Sequence, residues 1–123
     1  MQNVSILKLL NLIILSSLFF LSLYKISYAE MSSLGVLTGG SFSYAYGVSS
    51  DGTVIVGHSG STDGDRAFKY DSTNGMTSLG VLAGGTISRA YGVSSDGSVI
   101  VGQSDSTDGY RAFKYDSTNG MTN

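Results

Sequence analysis

The chain has 123 residues and a formal net charge of −2, and it contains neither cysteine nor proline. Its seven cationic side chains are scattered, so there is no basic stripe that could neutralise the phosphates of a nucleic acid. Because there is no cysteine, disulfides are excluded, and strand pairing and packing must hold any fold.

Residues 1–29 have the order of features that is typical of a secretory signal peptide. Lys8 adds to the positive amino terminus, an apolar stretch follows from Leu9 to Leu23, and Ser27-Tyr28-Ala29 offers a small-x-small cleavage site. The apolar stretch is shorter than the roughly 20 residues needed to cross a bilayer, which favours a cleaved signal over a membrane anchor. We therefore predict export to the periplasm, the outer surface or the medium, with an inner-membrane anchor as the alternative.

Residues 30–123 consist of a tandem repeat of 45 residues. Residues 31–75 are followed at once by their repeat at 76–120, with 36 of 45 aligned positions identical, and residues 121–123 begin a third repeat. Repeats of this length are typical of supersecondary units that need neighbours to bury a core. Function in such proteins lies on the surface of the array more often than in one catalytic pocket.

Each repeat contains four short runs of strand character that are separated by turn residues. In the second repeat these runs are Met76–Leu82, Arg89–Ser94, Ser98–Gln103 and Arg111–Asp116, and the first repeat opens with the matching run Met31–Leu37. Ser95-Asp96-Gly97 predicts a hairpin with a two-residue turn of positive φ. Residues 30–123 show no helical apolar stripe, so we predict an all-β fold after the signal-peptide helix.

Four strands in about 45 residues is the size of one β-propeller blade. We therefore predict two tandem four-stranded antiparallel propeller-like blades, with another twisted antiparallel stack or a solenoid as alternatives. Two blades are fewer than the roughly four to eight of a closed propeller, so the array is incomplete. Its open strand edges favour self-association between chains.

Several short motifs recur in the same order in both repeats. In the second repeat they are Gly75-Met76-Thr77-Ser78-Leu79-Gly80-Val81-Leu82 with Gly84-Gly85, then Ala90-Tyr91-Gly92-Val93-Ser94-Ser95-Asp96-Gly97, and then Arg111-Ala112-Phe113. In these motifs the chain resembles the extracellular repeats of the HAF family, named for a His-Ala-Phe tripeptide, with Arg66 and Arg111 in place of histidine. The resemblance implies an exported bacterial repeat module, as in surface-exposed passenger segments of Gram-negative autotransporters. It implies no enzymatic activity.

The sequence offers no catalytic constellation. The single histidine, His58, corresponds to Gln103 in the second repeat and has no cysteine or glutamate partner there, so we interpret it as a solvent-facing residue near a strand end. Asp63-Gly64-Asp65 resembles half of a calcium loop, but the second repeat loses one carboxylate, and ordinary Asp-Gly turns account for both. We predict no metal, cofactor or catalytic residue.

The positions that differ between the repeats are the best candidates for contact with a partner. They include Tyr44, which corresponds to Arg89, and Asp65, which corresponds to Tyr110. Tyrosine supplies stacking surface for a protein or a glycan. The sequence thus predicts an exported, non-enzymatic surface or extracellular interaction module. The alternative is a truncated remnant or split piece of a longer HAF-repeat passenger with no independent function.

Overall fold

A computed structural model describes residues 2–23 and 28–123 of the chain. One helix, α1, runs from Gln2 to Leu23. Its described apolar side chains, between Ile6 and Leu15, are exposed. Among the described residues, no helix combines the length and the apolar character that crossing a membrane requires. Ser27, the first residue of the predicted cleavage site, lies outside the described residues.

The chain divides into two compact units, Met1–Ser32 and Ser33–Asn123. The second unit contains eight strands, which are β1 (Ser43–Val48), β2 (Ile55–Ser59), β3 (Arg66–Asp71), β4 (Gly75–Gly80), β5 (Ser88–Val93), β6 (Val99–Ser104), β7 (Arg111–Asp116) and β8 (Gly120–Thr122). They form two four-stranded antiparallel sheets, β1-β2-β3-β4 and β5-β6-β7-β8, which we name sheet 1 and sheet 2. The prediction of an all-β fold with two four-stranded antiparallel units after a helix is confirmed at this level.

The sheets are offset by one strand from the repeats seen in the sequence. The run Met31–Leu37 is predicted to be a strand, but the structure has no strand there. Sheet 1 instead takes its fourth strand, β4, from the start of the second repeat, and sheet 2 takes β8 from residues 120–122. The reason is pairing: β4 and β8 each follow a strand of sequence Arg-Ala-Phe-Lys-Tyr-Asp, and no such sequence precedes Met31.

The hairpins also differ from the predicted two-residue turns. The Ser94 N–H donates to Val99 O at 2.8 Å, and the Gly97 N–H donates to Ser94 O at 2.9 Å, so the loop between β5 and β6 is wider than two residues. Gly97 has a φ of 75°, and no non-glycine residue of the described chain has a positive φ. A two-residue type I′ turn would need positive φ at Asp96 as well, and the wider loop avoids that strain.

The core lies between the two sheets. Its buried side chains are Val54, Val56, Ala67 and Leu79 from the first sheet and Leu82, Ala90, Ile100 and Phe113 from the second sheet and its approach. The β-branched runs Val54-Ile55-Val56 and Val99-Ile100-Val101 suit a pleated, half-buried surface, which explains why they form or flank strands. The sheets therefore stabilise each other by burying apolar surface face to face.

Two fully buried serines fix the segments that precede the sheets. Ser59 Oγ accepts the Leu37 N–H at 3.0 Å and lies 2.9 Å from Gly60 O. Ser104 Oγ accepts the Leu82 N–H at 3.0 Å in the same way. Since both serines have no exposed surface, these bonds satisfy groups that would otherwise be buried without partners. The irregular segment around Leu37 is thus held to sheet 1 by a serine as well as by apolar contact.

Candidate interaction surface

Four aromatic side chains and one histidine form a continuous cluster on sheet 1 and the first strand of sheet 2. Tyr44 and Tyr46 have ring centroids 5.2 Å and 5.5 Å from His58, and the Phe42 ring is 5.7 Å from Tyr44. Tyr91 extends the cluster across to β5, with its ring 5.7 Å from Tyr46. These separations fall in the range in which aromatic pairs attract beyond simple burial.

The backbone places these rings together through register and a bulge. Tyr44 lies directly opposite His58 in the β1–β2 pairing, so their side chains share one face. The register then shifts between Ala45 and Gly47, which leaves Tyr46 as the extra residue of a β-bulge. Tyr91 is the extra residue of the matching bulge in sheet 2. Bulges redirect side chains, and here they bring Tyr46 and Tyr91 beside each other.

The aromatic cluster is open to solvent. Tyr44 is 54% exposed, Tyr46 50%, Tyr91 45% and Phe42 38%. Soluble proteins seldom leave several adjacent large aromatic side chains half exposed unless the patch contacts something. Rings of this kind have an apolar face and a polar hydroxyl, which suits a protein or sugar surface.

His58 is buried beneath these rings, so the interpretation of it as a solvent-facing residue is wrong. Only 6% of its surface is exposed, because Tyr44, Tyr46 and Phe42 cover the imidazole. Its Nδ1 has no hydrogen-bond partner among the described residues. Burial lowers the pKa of His58 below its usual value, the Arg89 cation lowers it further, and Asp65 opposes them. The imidazole therefore takes up a proton less readily than a free histidine, and the tyrosine rings stack on it.

Asp65 and Arg89 form an ion pair across the two sheets. Arg89 Nη2 lies 3.1 Å from Asp65 Oδ2, and both side chains are partly buried. The hydrogen bond to Asp65 raises the pKa of Arg89, against the opposing effect of burial. Because Asp65 precedes β3 and Arg89 lies on β5, this pair joins sheet 1 to sheet 2. The Asp65 carboxylate is thus bound by an arginine and not arranged as a calcium ligand.

The four residues predicted to contact a partner lie in two separate regions of the fold. Asp65 and Arg89 meet each other, and Tyr44 lies in the aromatic cluster beside them. Tyr110 stands apart on the loop before β7, where it is 58% exposed. The structure therefore brings three of the four candidates into one region and leaves Tyr110 at the equivalent position of the other sheet.

Three of the other aspartates serve the hairpins. Asp51, Asp96 and Asp116 each accept hydrogen bonds from backbone and side-chain donors two or three residues further on, and the pKa of each is lowered to about 2. The main cause of the lowered pKa is the side-chain hydrogen bond that Ser49 donates to Asp51 and that Ser94 donates to Asp96. Within the described ranges, no group of three or more His, Cys, Asp or Glu is arranged to hold a metal. These carboxylates stabilise turns.

A cleft of about 480 Å³ lies next to the loop between β2 and β3, and no ring of the aromatic cluster lines it. Leu37 and Met76 give its lining apolar surface, and the charged groups in it are Asp63 and Arg66. Ser61 and Asp63 both line it, and the Asp63 N–H donates to Ser61 Oγ at 3.2 Å.

Comparisons with protein-family models, with curated proteins and with solved structures found no match to this chain. The resemblance to HAF repeats therefore stays a proposal.

Proposed function

We propose that this protein is an exported, non-enzymatic β-repeat module that contacts a protein or glycan at the cell surface or outside the cell. The observation that carries the proposal is the half-exposed cluster of Phe42, Tyr44, Tyr46 and Tyr91 over the buried His58. Such a cluster supplies a broad stacking surface with hydroxyl groups at its rim. The signal-like order of residues 1–29 and the HAF-like motifs support export.

We also propose that the two sheets are arranged as blades of a propeller-like array. β1 packs beside β5, and the Ser50 N–H donates to Ser95 O at 3.1 Å between the equivalent hairpins of the two sheets. Equivalent strands therefore neighbour each other, as they do around a propeller axis. Small-angle scattering that fits a linear solenoid, and not a curved stack, would count against this arrangement.

The binding proposal is tested by removing rings from the cluster. Tyr46→Ala with Tyr91→Ala deletes two exposed rings without opening the core, and Thr118→Ala changes an exposed turn residue elsewhere as the control. The probes are an array of bacterial and host oligosaccharides and a panel of purified outer-surface proteins. We expect the wild type and Thr118→Ala to bind the same probe, and the double variant to lose at least about tenfold in affinity. Equal binding by all three would reject the cluster as the contact surface.

Export is tested by fractionating the producing cell. We expect the protein in the periplasm, on the surface or in the medium, with a new amino terminus at Glu30. Recovery of the intact chain from the cytoplasm would rule out export, and an intact chain in the inner membrane would support the anchor instead.

A further inference from the structure

The contact between the two sheets is made by two different faces. Sheet 1 contributes the face that carries Val56 and Ala67, which we name the leading face. Sheet 2 contributes the face that carries Ala90 and Ile100, which we name the trailing face. All four residues are almost fully buried, with exposures of 0% or 1%. Because the repeats are nearly identical, each sheet has both kinds of face.

The leading face of sheet 2 is exposed. Val101 and Ala112 stand in the second repeat where Val56 and Ala67 stand in the first. Val56 has no exposed surface, whereas Val101 is 49% exposed, and Ala112 is exposed as well. The sequence is the same at these positions, so the difference arises because no trailing face covers sheet 2.

The trailing face of sheet 1 is exposed along β1, although Phe68 on the same face is fully buried. Ala45 is exposed where its equivalent, Ala90, is fully buried, and Val48 is 58% exposed where Val93 packs against the core. A groove of about 340 Å³ lies here, lined mainly by apolar residues of β1 and by Ile55. The two described sheets thus carry two open faces that are equivalent to the two faces already in contact between them.

The groups that form hydrogen bonds across the sheet–sheet contact also have repeat equivalents at the open faces. The Ala67 N–H donates to Ser88 Oγ at 2.9 Å, and the Ser88 N–H donates to Asp65 O at 3.1 Å. At the two ends, Ala112 provides the equivalent N–H, and Ser43 provides the equivalent hydroxyl and N–H. A leading face of one chain and a trailing face of another could therefore form the same bonds without new chemistry.

Two of the positions that differ between the repeats lie at this contact, and both of them change from a charged residue to tyrosine. Asp65 of sheet 1 pairs with Arg89 of sheet 2. The residues equivalent to this pair in a contact between two copies are Tyr110 of sheet 2 and Tyr44 of sheet 1, so both charges are replaced there. Had only one of them changed, a contact between ends would bury an unpaired charge, which is costly. The paired change leaves two aromatic side chains where the internal contact has an ion pair.

We propose that the exposed leading face of sheet 2 binds the exposed trailing face of sheet 1 in a second copy of this chain, head to tail. The contact is heterologous, so it forms a ring if the rotation closes and a filament if it does not. A ring of about two to four chains would hold the roughly four to eight sheets of a propeller. The inference depends on the described sheets and not on export or on ligand binding. It differs from pairing through open strand edges, because faces and not edges meet.

The first test places a charge on the exposed leading face. Val101→Lys puts an unpaired ammonium at the centre of the proposed contact, and Thr118→Lys puts the same group on an exposed turn of the same sheet as the control. The full chain is purified in mild detergent, and native mass spectrometry gives its assembly state over a range of concentrations. We expect the wild type and Thr118→Lys to assemble, and Val101→Lys to dissociate at concentrations at least about tenfold higher.

The second test uses the matched pair. Tyr44→Arg with Tyr110→Asp copies the internal Arg89–Asp65 pair at the chain ends, whereas Tyr44→Arg with Tyr110→Arg places like charges there. Both double variants lose both tyrosines, so they differ only in the sign of one charge. We expect the opposite-charge variant to assemble at least about tenfold more tightly than the like-charge variant, and the difference to shrink in high salt.

Two results would overturn the proposal. If the wild type is monomeric at all concentrations, then something other than a second copy covers these faces, such as further repeats in a partner. If the chain assembles but Val101→Lys and the charge pair have no effect, then α1 or the strand edges hold it together. Circular dichroism of each variant shows whether a loss of assembly is a loss of folding.

Discussion

His58 illustrates how one side chain takes its chemistry from its neighbours. The three rings that cover it remove water, and the Arg89 cation lies nearby, so the folded chain binds a proton at His58 less readily than the unfolded chain does. In the equivalent place in sheet 2, Gln103 carries no charge at any pH. The two repeats thus offer a natural substitute for testing the histidine.

We predict that His58→Gln reduces the acid sensitivity of the fold. Because the pKa of His58 is lowered on folding, the unfolded state takes up more protons as the pH falls below about 6.5, and the free energy of unfolding decreases there. Urea unfolding of the wild type at pH 7.5 and pH 5 should show this loss, and His58→Gln should lose less. Gln103→Ala is the control and should keep the wild-type loss. Equal losses for wild type and His58→Gln would contradict the prediction.

The pKa values of the hairpin carboxylates depend on nearby serine hydroxyls. The pKa of Asp96 is about 2, first because Ser94 donates a side-chain hydrogen bond to it at 2.6 Å. Ser94→Ala should raise the pKa of Asp96 toward its ordinary value and leave Asp51 near 2, since Asp51 has its own donor in Ser49. Carboxyl carbon shifts followed by NMR between pH 1.5 and 6 measure both. The stability that these lowered pKa values give is present above about pH 4 and is lost as the pH falls toward 2.

At the scale of the strand, glycine sets how closely β1 and β2 approach. A Cβ built on Gly57 would lie 1.8 Å from Tyr44 O, so any side chain there must push β1 away. Gly75, in contrast, has nothing within 4 Å of its Cβ position, and its φ of 68° is the only obstacle to a side chain. The two glycines therefore separate steric cost from conformational cost.

We predict that Gly57→Ala lowers the free energy of unfolding by about 3 kcal/mol, whereas Gly75→Ala lowers it by about 1 kcal/mol. The first change displaces a backbone carbonyl beside the bulge that aims Tyr46, and the second only strains a turn. Chemical denaturation of both variants at pH 7.5 measures the difference. A Gly57→Ala variant as stable as Gly75→Ala would mean that the β1–β2 pairing adjusts more freely than the structure indicates.

The positions of most strands could be predicted from the sequence, but their grouping into sheets could not. Short β-branched and aromatic runs between turns predicted β5, β6 and β7 to within a residue. A periodic sequence, however, does not say where a structural unit begins, since every offset of the repeat has the same pattern. The grouping depends on which strands find antiparallel partners, and Met31–Leu37 has none. That information lies in long-range pairing.

The aromatic cluster was predictable only in part, for the same reason. Tyrosines of the first repeat were candidates from composition, but the contact of Tyr44 with His58 depends on a cross-strand register that the hairpin loop sets. The bulge at Tyr46 adds a shift that no local signal marks. A polar residue within a β-branched run, facing tyrosine one strand away, was the signal that could have placed His58 under the rings.

The repeat places the same valine side chain in two different environments. Val56 is closed between the sheets with no exposed surface, and Val101 is 49% exposed at the equivalent position of sheet 2. Chemistry, strand position and local sequence are shared, so any difference between the two valines reports on what covers them.

We predict that Val56→Ala lowers the free energy of unfolding by about 2 kcal/mol at every protein concentration, because it leaves a cavity in the core. Val101→Ala should cost less than about 0.5 kcal/mol in dilute solution, where its face is open to water. If a second chain covers that face, the cost of Val101→Ala rises with protein concentration, since binding stabilises the folded state by mass action. Thermal unfolding at several concentrations measures both variants. A concentration-independent cost at Val101 would mean that its face stays open, and that sheet 2 of this chain remains without a neighbour.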